Sequence, residues 1–423
     1  MNALTSKPSQ GTDLVATVSI LMMGCHMGLF DVLAKLVSSN MKELDFSDPK
    51  ASIEDVVKGL KRQIDEWEST KVRVAITGQS GSGKSSLINT IMGEKVAEVG
   101  VTETTMKPKT YESKHGISFT DLPGCGTQNF PFDADGIKKK YVDEMNLSSY
   151  DAVILVTSNR FHEDDVKLYK YVTEKMQKPI FLVRTKMDSA VEEGEEDNNL
   201  TREQVVDIIL KDIAKNIKID DMSKIYLTSS KKKKVADFDV DRLVRDVANA
   251  IPEVKREKFI LETAAYSEAS IKAKRPIVEE LSKRYAFLSA ANGLNPIPGL
   301  NVSIDVALLA KMSNNILSNY GLIGGAFEQI AKSKEDKGAL VGTVSGTVKW
   351  ATQYATEAGI KAILPRLVAG EAAKSVASWV PLVGQAVAAG LGYLIASRYA
   401  TKLIDESEEK AILLLTEYAH AYA

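Results

Sequence analysis

Cysteine and histidine are scarce in this sequence of 423 residues. The two cysteines, Cys25 and Cys125, are too few for a disulfide framework, so we expect a reducing compartment. The four histidines lie far apart and lack the spacing of a zinc site. A net charge of −2 gives no basic excess, which argues against nucleic acid as a partner. The length and the ordinary balance of charged and apolar residues indicate a soluble protein of two or three domains.

Long uncharged runs are also few, and neither of the two candidates has the pattern of a clear membrane span. Leu14–Phe30 has no charged residue, and we interpret it as a bundle helix, with a membrane-contacting helix as the alternative. Ser375–Ser397 is uncharged over 23 positions, but Pro381 and three glycines disfavour a span. A buried helical hairpin is the preferred interpretation there, and membrane contact is the alternative. We expect a cytoplasmic protein, with peripheral membrane contact under the alternatives.

The stretch from Val72 to Thr90 predicts a phosphate-binding loop. Alternating β-branched residues indicate a strand, Gly78–Ser85 then reads G-x4-G-K-S, and Ser86–Ile91 suits a helix. Glycines let backbone N–H groups turn towards phosphates, which also meet the positive end of the helix. We expect Lys84 to reach the β- and γ-phosphates, and the Ser85 hydroxyl to hold Mg²⁺. The residues predicted to bind phosphates are Gly78, Gly81, Ser82, Gly83, Lys84, Ser85 and Ser86.

From residue 71 to residue 251, predicted strands alternate with predicted helices. This pattern predicts an α/β domain with a mostly parallel sheet and helices on both faces. One strand, Ile117–Asp121, ends in the motif D-x-x-G, formed by Asp121 and Gly124. A carboxylate at that strand end is placed for Mg²⁺, and the glycine amide is placed for the γ-phosphate.

A third motif selects the purine base. The strand Pro179–Arg184 leads into T-K-x-D, formed by Thr185, Lys186 and Asp188. A carboxylate at Asp188 can accept both N–H donors on the edge of guanine, whereas adenine would leave it unpaired at a high cost. We expect the Lys186 stem to lie along the base. The small residues after the last strand, Ser229 and Ser230, suit recognition of the base oxygen. The sequence therefore predicts a site for GTP and GDP.

After Pro252 the alternation stops, and the rest of the chain reads as amphipathic helices, with a break expected at Pro276. We predict three parts: an N-terminal helical segment at 1–70, a GTPase domain at 71–251 and a C-terminal helical segment at 252–423. Two charged runs, Glu192–Asp197 and Lys231–Lys234, are interpreted as solvated loops, the second with lipid or nucleic-acid binding as its alternative. Asp239 is expected to cap the helix that closes the GTPase domain.

These motifs resemble those of the immunity-related GTPases, also called interferon-inducible GTPases. The resemblance includes Glu103–Met106 and Asp121–Phe130, and outside the nucleotide site it includes Pro296–Leu309 and Val380–Gly384. It implies a Ras-like GTPase domain and an all-α domain in which the N- and C-terminal helices pack together. It also implies a homo-oligomer, assembled through the GTPase domains in the GTP state, and action at membranes.

Hydrolysis of GTP needs an oriented water as well as neutralised charge. In Ras-like enzymes a glutamine follows D-x-x-G, but here that position is Cys125, which cannot orient water. Nearby polar candidates are Glu103, Gln79 and Gln128. We hypothesise slow hydrolysis that accelerates when two GTPase domains meet and order Glu103, whose alternative role is an exposed loop carboxylate. The predicted catalytic residues are Lys84, Glu103, Thr105 and Gln79, and the predicted magnesium ligands are Ser85, Thr105 and Asp121.

Three functions are compatible with this pattern. The preferred one is an assembling GTPase that acts at membranes. The second is a regulatory switch or binding module, in which the GTP state sets the choice of partner and hydrolysis is incidental. The third is a nucleotide-bound structural scaffold without useful turnover.

Overall fold

The structure is a computed structural model. It describes residues 53–98, 107–113, 116–126, 139–231, 234–291, 295–296, 303–324, 339–368 and 384–422. The predicted segment Leu14–Phe30, and residues 375–383 of the second uncharged run, lie outside these ranges.

The strands are β1 (Val72–Thr77), β2 (Lys109–Glu112), β3 (Ile117–Asp121), β4 (Ala152–Thr157), β5 (Ile180–Arg184), β6 (Ile225–Leu227), β7 (Asn295–Pro296) and β8 (Ser303–Ile304). The first seven helices are α1 (Ile53–Ser69), α2 (Lys84–Met92), α3 (Lys139–Glu144), α4 (Glu163–Glu174), α5 (Met187–Asn198), α6 (Arg202–Ile217) and α7 (Val240–Ala250). The remaining helices are α8 (Glu253–Glu262), α9 (Glu268–Ala273), α10 (Arg275–Ala291), α11 (Val306–Asn319), α12 (Ala339–Ala355), α13 (Glu357–Val368) and α14 (Gly384–Tyr422).

The chain divides into two compact units. The first comprises the described parts of Met1–Asp65, Val278–Leu317 and Lys349–Ser407. The second comprises the described parts of Glu66–Ile277, Ser318–Val348 and Glu408–Ala423. The boundaries expected from the sequence, at 70/71 and 251/252, stay predictions.

The second unit is built on a six-stranded sheet in the order β2-β3-β1-β4-β5-β6. Five strands run parallel, and β2 pairs antiparallel with β3 at the edge. Burial on both faces explains the run of apolar, β-branched residues in β1 and β4, because helices cover both faces of such a sheet. The predicted α/β fold, with its mostly parallel sheet, is confirmed.

Each face of the sheet has its own apolar layer. On one face, Leu87 and Ile91 of α2 and Leu243 of α7 pack against the sheet. Phe259 of α8 joins this layer and lies 6.2 Å from Phe119 of β3, measured between ring centroids. The opposite layer takes in buried residues of α3, α4, α5 and α6. Both layers leave the carboxyl ends of the parallel strands to the connecting loops, where ligands bind in folds of this kind.

The first unit is almost entirely helical in the part that the structure describes. Tyr399 of α14 is fully buried, and its hydroxyl lies 2.8 Å from Ser313 Oγ of α11. Trp350 Nε1 and Tyr354 Oη of α12 both donate to the carboxylate of Glu406, at 3.0 and 3.1 Å. These polar contacts hold α11, α12 and α14 in register, because buried polar groups are stable only when they are hydrogen-bonded.

Of three local predictions, two were wrong and one is confirmed. Glu192–Asp197 is not a loop, since it lies inside helix α5. The predicted break at Pro276 is confirmed within two residues, because α9 ends at Ala273 and α10 begins at Arg275. Pro276 lies in the first turn of α10, where its missing N–H costs no helical hydrogen bond. A second break, which the sequence did not predict, separates α8 from α9 at residues 263–267. Asp239 does not cap α7 with its side chain. Its carboxylate instead accepts from the backbone N–H of Leu227 at 2.8 Å and ties the helix to β6.

Membrane spans were an alternative for two segments of the sequence. Among the helices in the described ranges, none combines the length and the apolar character that crossing a bilayer requires.

Candidate functional site

The predicted phosphate loop connects β1 to α2. Its glycines Gly78, Gly81 and Gly83 all have positive φ angles, of 139°, 74° and 89°. At Gly78 a side chain has no room, because a Cβ atom there would lie 2.0 Å from the carbonyl oxygen of Val156 in β4. The glycines therefore let the loop fold tightly over the ends of β1 and β4.

The lysine and serine of this loop meet the carboxylate of the D-x-x-G motif, as the spacing predicts. Ser85 Oγ donates to Asp121 Oδ2 at 3.0 Å, and Lys84 Nζ lies 4.0 Å from Asp121 Oδ1. Lys84 also donates to the carbonyl oxygens of Gly78 and Gln79, at 3.0 and 3.1 Å. Lys84 and Asp121 are both buried, so their charges interact through a medium that screens them poorly.

The other predicted phosphate-binding residues surround this pair. Gly124 lies against the phosphate loop, since a Cβ on it would be 2.9 Å from the carbonyl oxygen of Gly78. Ser82 is buried, and within the described part of the chain its hydroxyl has no hydrogen-bond partner. Ser86 is partly buried in the first turn of α2. The loop thus has a buried hydroxyl and a close glycine on the side where the phosphates are expected.

The predicted base-binding residues also come together. Lys186 is exposed and has a φ of 55°, a strained conformation for a residue with a side chain, and it ends the β5–α5 turn. Asp188 lies in the first turn of α5, and its Oδ1 accepts from Ser229 Oγ at 2.7 Å. Ser230 follows and is partly buried. The two segments of the base motif, from β5 and from β6, are therefore joined at the carboxylate.

Lys231 also lies at the predicted base site, although the sequence interpretation did not include it there. Its ammonium lies 2.8 Å from Asp188 Oδ2, although it belongs to the lysine run that we interpreted as solvated. Burial alone would raise the pKa of Asp188, but the hydrogen bonds from Lys231 and Ser229 hold that pKa below its usual value. The available signal was position, because Lys231 follows directly on the two serines predicted to contact the base.

The residues expected around the attacking water are only partly described. Gln79 is partly buried, and its Nε2 donates to the carbonyl oxygen of Cys125 at 3.3 Å. Cys125 is fully buried, and burial raises the pKa of its thiol far above the usual value. Glu103, Thr105 and Gln128 lie outside the described residues, so their roles stay predictions. A thiol with a raised pKa keeps its proton near neutral pH, so Cys125 does not act as a base here.

A tyrosine supports the D-x-x-G loop from behind. Tyr141 of α3 is buried, and its hydroxyl donates to the carbonyl oxygen of Pro123 at 2.7 Å and lies 2.6 Å from Thr77 Oγ1. We expect Tyr141→Phe to lower the free energy of unfolding by about 1 kcal/mol, because it removes a buried hydrogen bond without opening a cavity. Chemical denaturation monitored by circular dichroism measures this.

Tyr169→Phe is the matched control for Tyr141→Phe. Tyr169 of α4 packs against the same apolar layer, and among the described residues its hydroxyl makes no hydrogen bond. Equal losses in the two variants would show that the hydroxyl of Tyr141 does not support the loop.

Comparison with known proteins places this site in a family. The sequence matches the family described as Interferon-inducible GTPase (IIGP) over residues 39–415. Interferon-inducible GTPase 1 of Mus musculus is 28% identical over 322 residues, covering 72% of this chain and 75% of that protein. Interferon-gamma-inducible GTPase 10 of Mus musculus is 26% identical over 315 residues, covering 72% and 73%. A crystal structure of a variant of Aquifex aeolicus Era, bound to GDP and AlF4⁻, covers 52% of this chain and 68% of its own, with 19% identity and a TM-score of 0.30.

A TM-score at that level supports no inference about function, so the assignment depends on the sequence match and on the geometry. The matched range extends over well more than half of the chain and includes helices outside the sheet-containing unit. Within it, the phosphate loop, the D-x-x-G carboxylate and the T-K-x-D carboxylate lie in the arrangement of a GTP-binding fold. The predicted resemblance is confirmed, and the chain belongs to the interferon-inducible GTPase family.

Proposed function

We propose that this protein binds GTP with Mg²⁺, hydrolyses it slowly as a single molecule and faster when two copies meet through their GTPase domains, and acts at a membrane surface. The observation that carries the nucleotide part is the hydrogen bond from Thr185 Oγ1 to the carbonyl oxygen of Ser82, 2.5 Å long. This bond joins the base motif to the phosphate loop at the carboxyl ends of the parallel strands. A single guanine nucleotide can therefore span both motifs.

The side chains beside the phosphate loop fit a magnesium ion. The Ser85 hydroxyl and the buried Asp121 carboxylate lie within hydrogen-bond distance of each other and supply the oxygen ligands that Mg²⁺ prefers. Thr105 is the third ligand in this proposal. Mg²⁺ held there would supply positive charge against the charge that develops on the transferred phosphoryl group.

The chain's own residues complete the proposed reaction. Lys84 donates to two backbone carbonyl oxygens of the phosphate loop, and in this proposal its ammonium also contacts the β- and γ-phosphates of GTP. The Cys125 thiol is buried and the Gln79 amide is already hydrogen-bonded, which leaves Glu103 and Gln128 among the polar candidates. In this proposal Glu103 orients the attacking water. If Glu103 is ordered only by a second copy, hydrolysis by a lone molecule is slow.

The assembly and membrane parts of the proposal rest on features of the sequence. Self-assembly rests on the family resemblance and on the absence of a glutamine after D-x-x-G. Membrane action rests on the same resemblance and on the uncharged sequence of Leu14–Phe30 and Ser375–Ser397. The proposed location is therefore the cytoplasm, with peripheral contact to a membrane.

Turnover per molecule, measured over a range of protein concentrations, tests the proposal. The rate of phosphate release from GTP per protein molecule should rise with protein concentration. Phosphate release should be absent with ATP or without Mg²⁺. A flat line with slow turnover would favour the regulatory switch, and undetectable turnover with tight GTP binding would favour the scaffold.

Repeating the titration with phosphatidylserine-containing vesicles tests the membrane part of the proposal. If the GTP-loaded protein does not float with these vesicles, the membrane part of the proposal is wrong.

A further inference from the structure

The ion pair between Lys231 and Asp188 occupies the carboxylate that should recognise guanine. The Asp188 side chain is 4% exposed, whereas the Lys231 side chain is 55% exposed. The ammonium therefore reaches from solvent down to a buried carboxylate. Its backbone is held in place, since Lys231 N–H donates to Ser229 Oγ at 3.1 Å and its carbonyl oxygen accepts from Lys234 N–H at 2.8 Å.

Both carboxylate oxygens of Asp188 are engaged. Oδ1 accepts from Ser229 at 2.7 Å, and Oδ2 accepts from Lys231 and, at 3.3 Å, from Ser189 Oγ. Guanine would bring two more N–H donors to the same carboxylate. The exposed ammonium is the group that can leave, because the serine hydroxyls belong to residues that are at least partly buried.

A second carboxylate, that of Glu192, lies beside the Lys231 ammonium. Glu192, one turn along α5 from Asp188, has its Oε2 3.5 Å from Lys231 Nζ, and its side chain is 57% exposed. Moving an ammonium between two carboxylates this close requires only rotation of a flexible side chain. The ammonium stays paired with a carboxylate after this move, and the N–H donors of guanine replace it at the buried Asp188, so the exchange has a modest free-energy cost.

We propose that Lys231 is a displaceable counter-ion that guards the base site, pairing with Asp188 when the site is empty and moving to Glu192 when guanine enters. The inference rests on the proposed guanine-nucleotide function of this site and adds a residue that controls how fast the site fills. A buried carboxylate without a partner is costly, and Lys231 removes that cost in the empty protein. Guanine must then displace an ion pair before its own hydrogen bonds form. Nucleotide association is therefore slower than it would be without this ion pair.

The test is Lys231→Met in the full-length, nucleotide-free protein. Methionine keeps an apolar stem that can lie along a base, but it removes the ammonium. Stopped-flow mixing with a fluorescent GDP analogue should show association about threefold faster than in the wild type, the order expected for a partly exposed ion pair. Slower or unchanged association would overturn the proposal.

Two further variants distinguish the specific effect of Lys231 on the association rate from a general effect of charge. Lys234→Met makes the same change in the same loop, and Lys234 pairs with Asp237 at 3.5 Å instead, so its association rate should stay at the wild-type value. Equal acceleration in both lysine variants would show that losing any positive charge from this loop speeds association, and it would overturn the proposal. Glu192→Gln removes the negative charge of the second carboxylate and should slow association, and an unchanged rate would overturn the transfer to Glu192. If the wild type binds no guanine nucleotide at all, the proposed function fails, and this outcome is distinguishable from any difference among variants.

Discussion

Asp188→Asn is expected to lower the affinity for GDP and GTP by about 100-fold or more. The reason is a loss of complementarity, because an amide presents one acceptor and one donor where guanine presents two donors. A guanine N–H would then face the amide N–H₂ in a buried site, and a charge-assisted hydrogen bond worth roughly 1.5–3 kcal/mol would be lost with it. Competition against a fluorescent GDP analogue measures the change.

The same variant should gain affinity for xanthosine diphosphate. Xanthine carries an oxygen where guanine carries its exocyclic amino group, and the new amide can donate to it. Asp197→Asn is the matched control, since Asp197 lies exposed on the same helix α5. Its nucleotide affinities should equal those of the wild type. Retained guanine preference in Asp188→Asn would show that the base site lies elsewhere.

Most contacts among the residues predicted to bind nucleotide could be anticipated because each motif is local in sequence. Each of the three motifs follows a strand whose apolar pattern is clear, and parallel strands bring their carboxyl ends to one edge of the sheet. The contact between Ser85 and Asp121 follows from this rule, since β1 and β3 are neighbours. The order of all six strands is a tertiary property, and the motifs alone do not determine it.

The errors came from residues whose role depends on tertiary neighbours. Gly194 made the acidic run at 192–197 resemble a loop, but it lies inside α5, where a Cβ would come within 2.3 Å of Val205 Cγ2 of α6. This glycine allows two helices to pack closely, and Met187 and Val191 lie on the same face of α5 and join the apolar layer that contains Val205. Helix propensity counts Gly194 against a helix, and tertiary packing overrides it.

Charged residues were the hardest to interpret for the same reason. Lys231 looks like any lysine in a basic loop until the fold brings Asp188 and Glu192 within reach of it. Lys274 is deeply buried, and no pattern in the sequence indicates this. Amphipathic patterns place lysine on the solvated side of a helix, and only the packed structure shows which lysines bond to backbone oxygens instead.

Lys274 closes the ends of two helices inside the second unit. Its ammonium donates to the carbonyl oxygens of Leu261 at 2.9 Å, Thr263 at 2.8 Å and Asn319 at 2.7 Å. Leu261 and Thr263 lie at the end of α8, and Asn319 is the last residue of α11. The last carbonyl groups of a helix have no intrahelical partner, and a cation there also interacts favourably with the helix dipole.

Lys274→Met should lower the free energy of unfolding by about 2–4 kcal/mol near pH 7. Methionine fills a similar volume, but it leaves three buried carbonyl groups without their shared donor, and each such loss costs roughly 1–3 kcal/mol. Relief of the cost of burying the charge offsets part of this loss. Urea denaturation monitored by circular dichroism gives the difference, with matched m-values showing that the same fold unfolds.

The difference between wild type and Lys274→Met should also depend on pH. Burial lowers the pKa of Lys274 from 10.5 to about 8, so between these values the unfolded chain binds a proton that the folded protein lacks. Stability contributed by Lys274 therefore rises with pH in this window, and the gap between the two proteins should widen by about 2 kcal/mol from pH 8 to pH 9.5. Glu262, whose pKa burial raises to about 7, titrates below the window.

Lys272→Met is the matched control for Lys274→Met, because it replaces a nearby lysine that is exposed. Lys272 lies in α9, two residues before Lys274, and is exposed, with an ion pair to Glu268 within the same helix. Its replacement should change stability by no more than about 0.5 kcal/mol, with no added pH dependence between 8 and 9.5. A loss in Lys274→Met no larger than in this control would mean that the three carbonyl groups find other donors. A gap that narrows as the pH rises would mean that the buried ammonium keeps its proton, because only a depressed pKa makes stability grow in that direction.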